Sequence, residues 1–158
     1  MGTAPGYFLR RLQQAYQAAW SLHVDAVVTS PQLAVLLAVA QNPGMEQGLI
    51  GNSVALDRST MAGVVDRLEN RGWLKKRRSP RDGRKRLLYL SPEGRKVMTE
   101  TMKRSKELED LLMEGYGPEG RALVLSMVRQ LAERWEAVAR ELGARMPGTD
   151  EDAEDPAS

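Results

Sequence analysis

The chain has 158 residues, of which 42% are hydrophobic and 28% charged, a composition that fits one globular domain with helical extensions. It contains no cysteine and one histidine, which excludes disulfides and thiolate metal sites and makes a zinc site or other cofactor site unexpected. No uncharged apolar run reaches the roughly 18 residues of a membrane-spanning helix, and the first residues lack the pattern of a signal peptide. We therefore expect a cytoplasmic protein without membrane association.

The net charge of +2 conceals an uneven distribution of charge along the chain. Residues 57–96 contain 13 Lys or Arg and 5 Asp or Glu, a local charge of +8, so the remainder carries −6. Six of these cations lie in RRSPRDGRKRL, residues 77–87. Such a cluster favours contact with the phosphates of a nucleic acid, because binding releases condensed counterions. A solvated basic surface without a partner is the alternative.

The first half of the chain predicts three helices. Residues 6–28 carry apolar or aromatic side chains at every third or fourth position, which is typical of an amphipathic helix. A second, buried helix is predicted from an N-cap at Ser30 to a stop at Asn42-Pro43-Gly44. MEQGLIGNSVAL, residues 45–56, predicts a weaker third helix, because each of its two glycines costs about 1 kcal/mol relative to alanine.

A fourth helix is predicted in DRSTMAGVVDRLENRGW, with Asp57 as its N-cap and Gly72 as its left-handed end. Its apolar stripe consists of Met61, Val64, Val65 and Leu68. On a wheel of about 100° per residue, the opposite face presents Ser59, Gly63, Asp66 and Asn70, flanked by Thr60 and Arg67. This outward face is short and polar.

The second half of the chain predicts a hairpin and two longer helices. WLKKRRSPRDGRKRLLYLS reads as two strands joined by a turn at Asp82-Gly83, so the basic cluster forms the hairpin loop. A helix from Ser91-Pro92 to about Tyr116 follows, and then a final helix with an apolar stripe. That stripe consists of Val124, Met127, Val128, Leu131, Trp135, Val138 and Leu142. Residues 147–158 are acidic and predict a disordered tail.

Three short helices followed by a hairpin predict a mainly α fold with a small β-hairpin wing, that is, a winged helix-turn-helix. We expect an N-terminal dimerisation helix (1–28), the DNA-binding region (29–91), C-terminal dimerisation helices (92–146) and the tail (147–158). The third and fourth predicted helices form the helix-turn-helix pair. The fourth helix, which begins after Asp57, would enter the major groove, which is about 12 Å wide. The candidate DNA-binding residues are Arg58, Ser59, Thr60, Gly63, Arg67, Lys76, Arg78, Arg81, Arg84, Lys85 and Arg86. Arg84 suits a narrow minor groove, and Asp82 would orient the loop.

Dimerisation is expected because one recognition helix with one wing covers only about one half-site, whereas specific sites commonly contain two. The first and last helices carry apolar stripes that need a partner. The alternative is that these helices pack on their own lobe.

The segment DRSTMAGVVDRLENRGWLKKRRSPRDGRKRLLYLSPEGRKV resembles the signature region of the MarR family of bacterial transcription regulators, and the resemblance is continuous over residues 31–97. It implies a homodimer that reads a pseudo-palindrome in double-stranded DNA. Most relatives repress, and many release DNA when a small phenolic or aromatic acid binds. Ala62-Gly63 stand where many relatives have Thr-Arg, so base contacts would depend on Ser59, Thr60 and Arg67. Ala55 stands where the family's turn often has glycine.

The start of the chain resembles that of members responding to aromatic carboxylates or their coenzyme A thioesters. A guanidinium binds a carboxylate in a bidentate manner, which makes Arg10 or Arg11 the candidate anion contact. Tyr16, Trp20 and His23 would supply flat walls and hydrogen bonds. The alternatives are an interface role for Tyr16 and His23, simple packing for Trp20 and ordinary surface charge for the two arginines.

No nucleophile paired with a base, phosphate-binding glycine loop or metal constellation is present in the sequence, so we expect no enzyme. Two classes remain. One is a ligand-responsive, sequence-specific repressor, and the other is a winged-helix module for nonspecific DNA packaging or protein contacts.

Overall fold

The computed structural model describes residues 4–145, which fold into six helices and one two-stranded sheet. The elements in chain order are α1 (Pro5–His23), α2 (Ser30–Gln41), α3 (Gln47–Ser53), α4 (Arg58–Asn70), β1 (Leu74–Arg78), β2 (Arg86–Leu90), α5 (Pro92–Leu112) and α6 (Pro118–Arg145). The mainly helical fold with a hairpin wing is confirmed. The acidic tail predicted at 147–158 lies outside the described residues.

The chain divides into two compact units, one ending at Leu112 and the other beginning at Met113. In the first unit α2 is the central element, and it packs against α3, α4, α5 and β2. Its side chains Val35, Leu36 and Val39 are fully buried. The second unit contains α6, a helix of 28 residues without a buried side chain.

Helix α2 begins at Ser30, one residue earlier than the sequence predicts. The N-cap is Thr29, whose Oγ1 accepts a hydrogen bond from Gln32 N (3.4 Å), while Gln32 Oε1 accepts one from Thr29 N (3.0 Å). This reciprocal capping box satisfies two backbone donors, so the prediction of Ser30 as N-cap is wrong and Ser30 is instead the first helical residue.

Helix α1 is shorter than the predicted span of 6–28, because it ends at His23 and a structured loop follows. Asp25 Oδ1 accepts hydrogen bonds from Val27 N (2.5 Å) and Val28 N (3.1 Å). The carbonyl of Val27 also accepts from Arg71 Nη1 (2.8 Å), at the end of α4. The first two bonds order the loop, and the third joins it to the C-terminal end of α4.

The turn between α3 and α4 requires close backbone approach. Gly51 is buried, and a Cβ there would lie 3.2 Å from Met61 Cγ, so this glycine lets the two helices pack closely. Ala55 has a φ of 54°, the left-handed conformation in which an alanine costs roughly 1–2 kcal/mol. Ala55 therefore adopts the left-handed conformation that glycine would adopt at this position of the turn.

Strands β1 and β2 pair antiparallel from Leu74↔Leu90 to Arg78↔Arg86. The side chains of Leu74 and Leu88 are buried and anchor the hairpin to the core. The loop that joins the strands spans residues 79–85, longer than a two-residue turn. Its tip is the predicted Asp-Gly turn, in which Lys85 N donates to Asp82 O at 3.0 Å. The wing therefore extends as a loop beyond a short, anchored sheet.

Candidate nucleic-acid interface

Helix α4 presents one buried face and one exposed face, as its sequence predicts. The predicted apolar stripe, Met61, Val64, Val65 and Leu68, is buried in the core. On the outer side, Ser59, Thr60 and Arg67 are exposed and Gly63 is half-buried. A Cβ on Gly63 would lie 3.6 Å from Arg67 Nη1, so the Arg67 guanidinium lies next to the space that this glycine leaves.

Asp57 orders the first turn of α4. Its Oδ1 accepts hydrogen bonds from the backbone N–H groups of Ser59 and Thr60, both at 2.9 Å. Hydrogen bonds from the side chains of Ser59 and Thr60 are the main cause that holds the pKa of Asp57 well below its ordinary value of 3.8. The carboxylate is therefore ionised at neutral pH, and its stabilising effect on the cap is lost only on acidification below the usual range of an aspartate.

The wing loop is shaped by its own polar groups. Asp82 Oδ1 accepts from Arg84 N (3.0 Å), and Arg86 Nη1 donates to the carbonyl of Gly83 (3.1 Å). Ser79 Oγ accepts from Arg81 N at 3.3 Å. Arg81 and Arg84 are exposed, as is Arg78 at the end of β1. These contacts hold the loop in one shape while the arginine side chains extend into solvent.

Helix α4 and the wing border a common groove. Arg58, at the start of α4, lines this groove together with Arg84, Lys85 and Arg86 of the wing. The groove is also lined by residues at the start of α3, in α3 and in the α3–α4 turn, including Glu46, Gly48, Asn52 and Leu56. We call this surface the basic groove. Cations from two separate elements therefore meet on the surface beside the first turn of α4.

Both predicted DNA-binding lysines have carboxylate partners within the chain. Lys76 Nζ lies 2.8 Å from Asp66 Oδ1 and 2.7 Å from Glu69 Oε2, and these contacts raise the pKa of Lys76. Lys85 Nζ lies 2.9 Å from Glu46 Oε1, which raises the pKa of Lys85. Lys76 thus connects β1 to α4, and Lys85 connects the wing to the start of α3.

These acidic partners are not evident from the sequence alone. Asp66 and Glu69 are three residues apart on α4, and that spacing is the only local signal that they share a neighbour. The pairing with Lys76 depends on the return of the chain after Gly72, which no local pattern specifies.

Two of the candidate ligand-binding side chains in α1 lie next to each other. Trp20 is in the core, 4% exposed, and its Nε1 donates to Val28 O at 2.7 Å. Tyr16 is half-buried, with its ring centroid 5.9 Å from that of Trp20 and its hydroxyl 3.5 Å from Ser30 Oγ. Trp20 therefore packs in the core, and Tyr16 forms the outer edge of the aromatic pair.

The other three candidates in α1 are exposed. Arg10 and Arg11 lie on the outer surface, with the Arg11 guanidinium carbon 5.6 Å from the centroid of the Tyr7 ring. His23 is the last residue of the helix and is also exposed.

Large apolar side chains remain uncovered on α1 and on α6. On α1 they are Tyr7, Phe8, Leu9, Leu12 and Leu22. On α6 they are Leu123, Leu125, Met127, Val128, Leu131, Trp135 and Leu142. Exposed apolar surface of this extent marks an interaction surface in a protein.

Within residues 4–145, no helix is long and apolar enough to cross a bilayer. The same residues contain no group of three or more His, Asp or Glu side chains placed to hold a metal ion.

The chain is similar in sequence and in fold to known proteins. The sequence profile described as the MarR family matches residues 28–85. The chain is similar to the transcriptional regulator HosA of Escherichia coli O111:H-, with 30% identity over 123 residues that cover 78% of this chain and 90% of HosA.

Two solved structures are similar in both sequence and fold. PcaV, a transcriptional regulator of Streptomyces coelicolor in complex with its natural ligand, has 40% identity and a TM-score of 0.81 over 83% of this chain and 93% of PcaV. The transcriptional repressor CouR, bound to a 23-mer DNA duplex, has 33% identity and a TM-score of 0.74 over 82% of this chain and 92% of CouR. CouR has also been solved with p-coumaroyl-CoA. With its winged helix-turn-helix and these relatives, the chain belongs to the MarR family of transcriptional regulators.

Proposed function

We propose that the protein is a homodimeric repressor that binds a specific sequence of double-stranded DNA and is released by a small aromatic acid or its coenzyme A thioester. The observation that carries the proposal is the basic groove, where Arg58 of the recognition helix meets Arg84 and Arg86 of the wing. A helix that enters the major groove places flanking cations against the phosphates. The relative CouR, which binds a DNA duplex, supports this use of the fold.

The homodimer is supported by the uncovered apolar surfaces of α1 and α6. A 28-residue helix whose side chains are all at least partly exposed gains little stability in isolation, since tertiary packing supplies most helix stability. A second copy of the chain would cover these side chains. Two copies would also match the two half-sites of a palindromic operator.

The aromatic effector is supported by α1 and by two relatives. Tyr16, half-buried at the outer edge of the aromatic pair, offers a flat wall that the buried Trp20 supports from behind. The exposed guanidinium groups of Arg10 and Arg11 lie on the same helix for contact with a carboxylate. His23 supplies a further hydrogen-bonding group at the end of α1. PcaV carries its natural ligand and CouR carries p-coumaroyl-CoA, a thioester of an aromatic acid.

The direct test is binding of the purified protein to DNA from upstream of its own gene and to a scrambled duplex, at about 150 mM salt. Aromatic acids and their thioesters, including p-coumaroyl-CoA, are added in turn. Preferential binding that one compound relieves supports the proposal. Equal, salt-sensitive binding to both duplexes that no compound changes would instead indicate a DNA-packaging protein.

The Arg84→Ala variant lacks one cation of the wing and is expected to bind the operator about 1–3 kcal/mol more weakly. The slope of log affinity against log salt concentration should also fall by about one, because one counterion fewer is released. The reason is that Arg84 is exposed at the tip of the loop, where Asp82 holds its backbone. Titrations at several salt concentrations measure both quantities. Arg140→Ala is the matched control and should leave both unchanged, because Arg140 is exposed on the side of α6 opposite Leu131. If both variants bind like the wild type, the wing does not contact DNA.

Lys76→Gln is expected to weaken operator binding without changing its salt dependence. The charge of Lys76 is balanced by Asp66 and Glu69 in the free protein, so the lysine positions β1 against α4 rather than neutralising a phosphate. Lys76→Arg should restore affinity because it keeps the pairing. If the slope of log affinity against log salt concentration fell by about one in Lys76→Gln, as expected for Arg84→Ala, Lys76 would contact a phosphate.

A further inference from the structure

The first turn of α4 exposes two hydroxyl groups that share one carboxylate. Ser59 Oγ lies 2.6 Å from Asp57 Oδ1, and Thr60 Oγ1 lies 2.5 Å from Asp57 Oδ2. Both residues are exposed and lie in the same first turn as Arg58, which lines the basic groove. The hydroxyls are therefore positioned on the surface where the proposed function places the edges of the base pairs.

The direction of these two hydrogen bonds is fixed by the charge of Asp57. An ionised carboxylate has no proton and only accepts, so each hydroxyl donates its single proton to Asp57. Ionisation at neutral pH follows from the lowered pKa of Asp57. Each hydroxyl oxygen keeps lone pairs that can accept from a second partner. Towards solvent, Ser59 and Thr60 are therefore hydrogen-bond acceptors.

We propose that Ser59 and Thr60 read the operator only as acceptors and select adenine or cytosine on the strand that α4 faces. In the major groove adenine and cytosine present amino donors, whereas guanine and thymine present carbonyl acceptors at the corresponding positions. This inference rests on the proposed function and assigns base chemistry to two of its side chains. A guanine or thymine carbonyl opposite Thr60 would face the Oγ1 atom, whose proton is already donated to Asp57.

The neighbouring side chains do not replace the hydroxyl donors that Ser59 and Thr60 lack towards solvent. Ala62 and Gly63 carry no side-chain donor, and Arg58 and Arg67 are donors only, suited to guanine or phosphate. Evidence that DNA approaches this turn is independent of the Asp57 cap. It comes from the arginines of the wing that share the basic groove and from the DNA-bound relative.

The experiment is selection of binding sites from duplexes with a randomised core, using the full chain and three variants. Thr60→Val and Ser59→Ala remove one hydroxyl each and identify the operator positions that depend on it. In the wild type we expect adenine or cytosine at those positions, with about tenfold preference over the reversed base pair, which each variant should lose.

Asp57→Asn tests the direction of the hydrogen bonds. Asparagine is as good an N-cap as aspartate, and its carbonyl can replace Oδ1, which accepts from both backbone N–H groups. The amide nitrogen then replaces Oδ2 and donates to Thr60 Oγ1, which frees the threonine proton. We expect this variant to accept guanine or thymine at the position that depends on Thr60, while the Ser59 position keeps its preference.

The outcomes separate the two proposals. A wild-type protein that enriches no motif would overturn the proposed function itself. An enriched motif in which neither hydroxyl variant changes a base preference, or in which the dependent position is guanine or thymine, would overturn only the acceptor assignment. Thermal melting measures whether each variant is folded. If Asp57→Asn does not fold, the base preferences of Ser59→Ala and Thr60→Val still decide whether the acceptor assignment holds.

Discussion

Gly94→Ala is expected to destabilise the protein by at least about 3 kcal/mol, because the added methyl group has no space. Gly94 is buried in the first turn of α5, and a Cβ there would lie 2.0 Å from the carbonyl oxygen of Trp73 and 2.8 Å from its carbonyl carbon. Both are backbone atoms at the start of the wing, and the same oxygen accepts from Ser91 N at 3.0 Å. Urea denaturation measures the loss.

The matched control is Gly48→Ala in α3, where a Cβ would have no neighbouring atom within 4 Å. Because alanine is the better helix former by about 1 kcal/mol, this variant should be slightly more stable than the wild type. Equal losses in the two variants would show that the contact with Trp73 is not the cause. The comparison thus separates the loss of space from the general effect of replacing a helical glycine.

Leu131→Glu is expected to weaken self-association at least about 100-fold and to abolish cooperative operator binding. Leu131 lies in the middle of the apolar stripe of α6 and is 51% exposed in the single chain, so the proposed dimer would bury it. An unpaired carboxylate in an interface costs several kcal/mol, and a symmetric dimer contains the substitution twice. Sedimentation equilibrium measures the association directly.

Ala122→Glu introduces the same group on the opposite side of α6, since nine residues at 100° each place Ala122 about 180° from Leu131. This variant should self-associate like the wild type and bind DNA only slightly less well, because the added charge is solvated. If Leu131→Glu remains a dimer, α6 does not form the interface, and the uncovered side chains of α1 become the next candidates.

The sequence predicts α4 in detail because its signals are local. Asp57 as N-cap, Gly72 with its φ of 73° and the buried stripe from Met61 to Leu68 are all as predicted. A capping side chain, a left-handed glycine and a periodic apolar stripe each depend on neighbours within about one or two turns. Helix α4 and its outward face therefore follow from sequence alone.

Features that depend on contacts across a turn were not predictable in this way. The burial of Trp20 depends on the loop after α1, whose Val28 carbonyl accepts the indole N–H. The pairing of Lys76 with Asp66 and Glu69 depends on how β1 returns beside α4. Both contacts join segments about ten residues apart across a turn, and periodicity carries no information about such contacts.

The placement of the three tryptophans gives the protein its own set of optical probes. Trp20 is 4% exposed in the core, Trp73 is half-buried at the start of the wing beneath the Arg71 guanidinium, and Trp135 is 40% exposed on α6. Indole emission shifts to longer wavelength as water reaches the ring. Variants that keep one tryptophan each would therefore report separately on the core, the base of the wing and α6 as DNA or an aromatic acid is added.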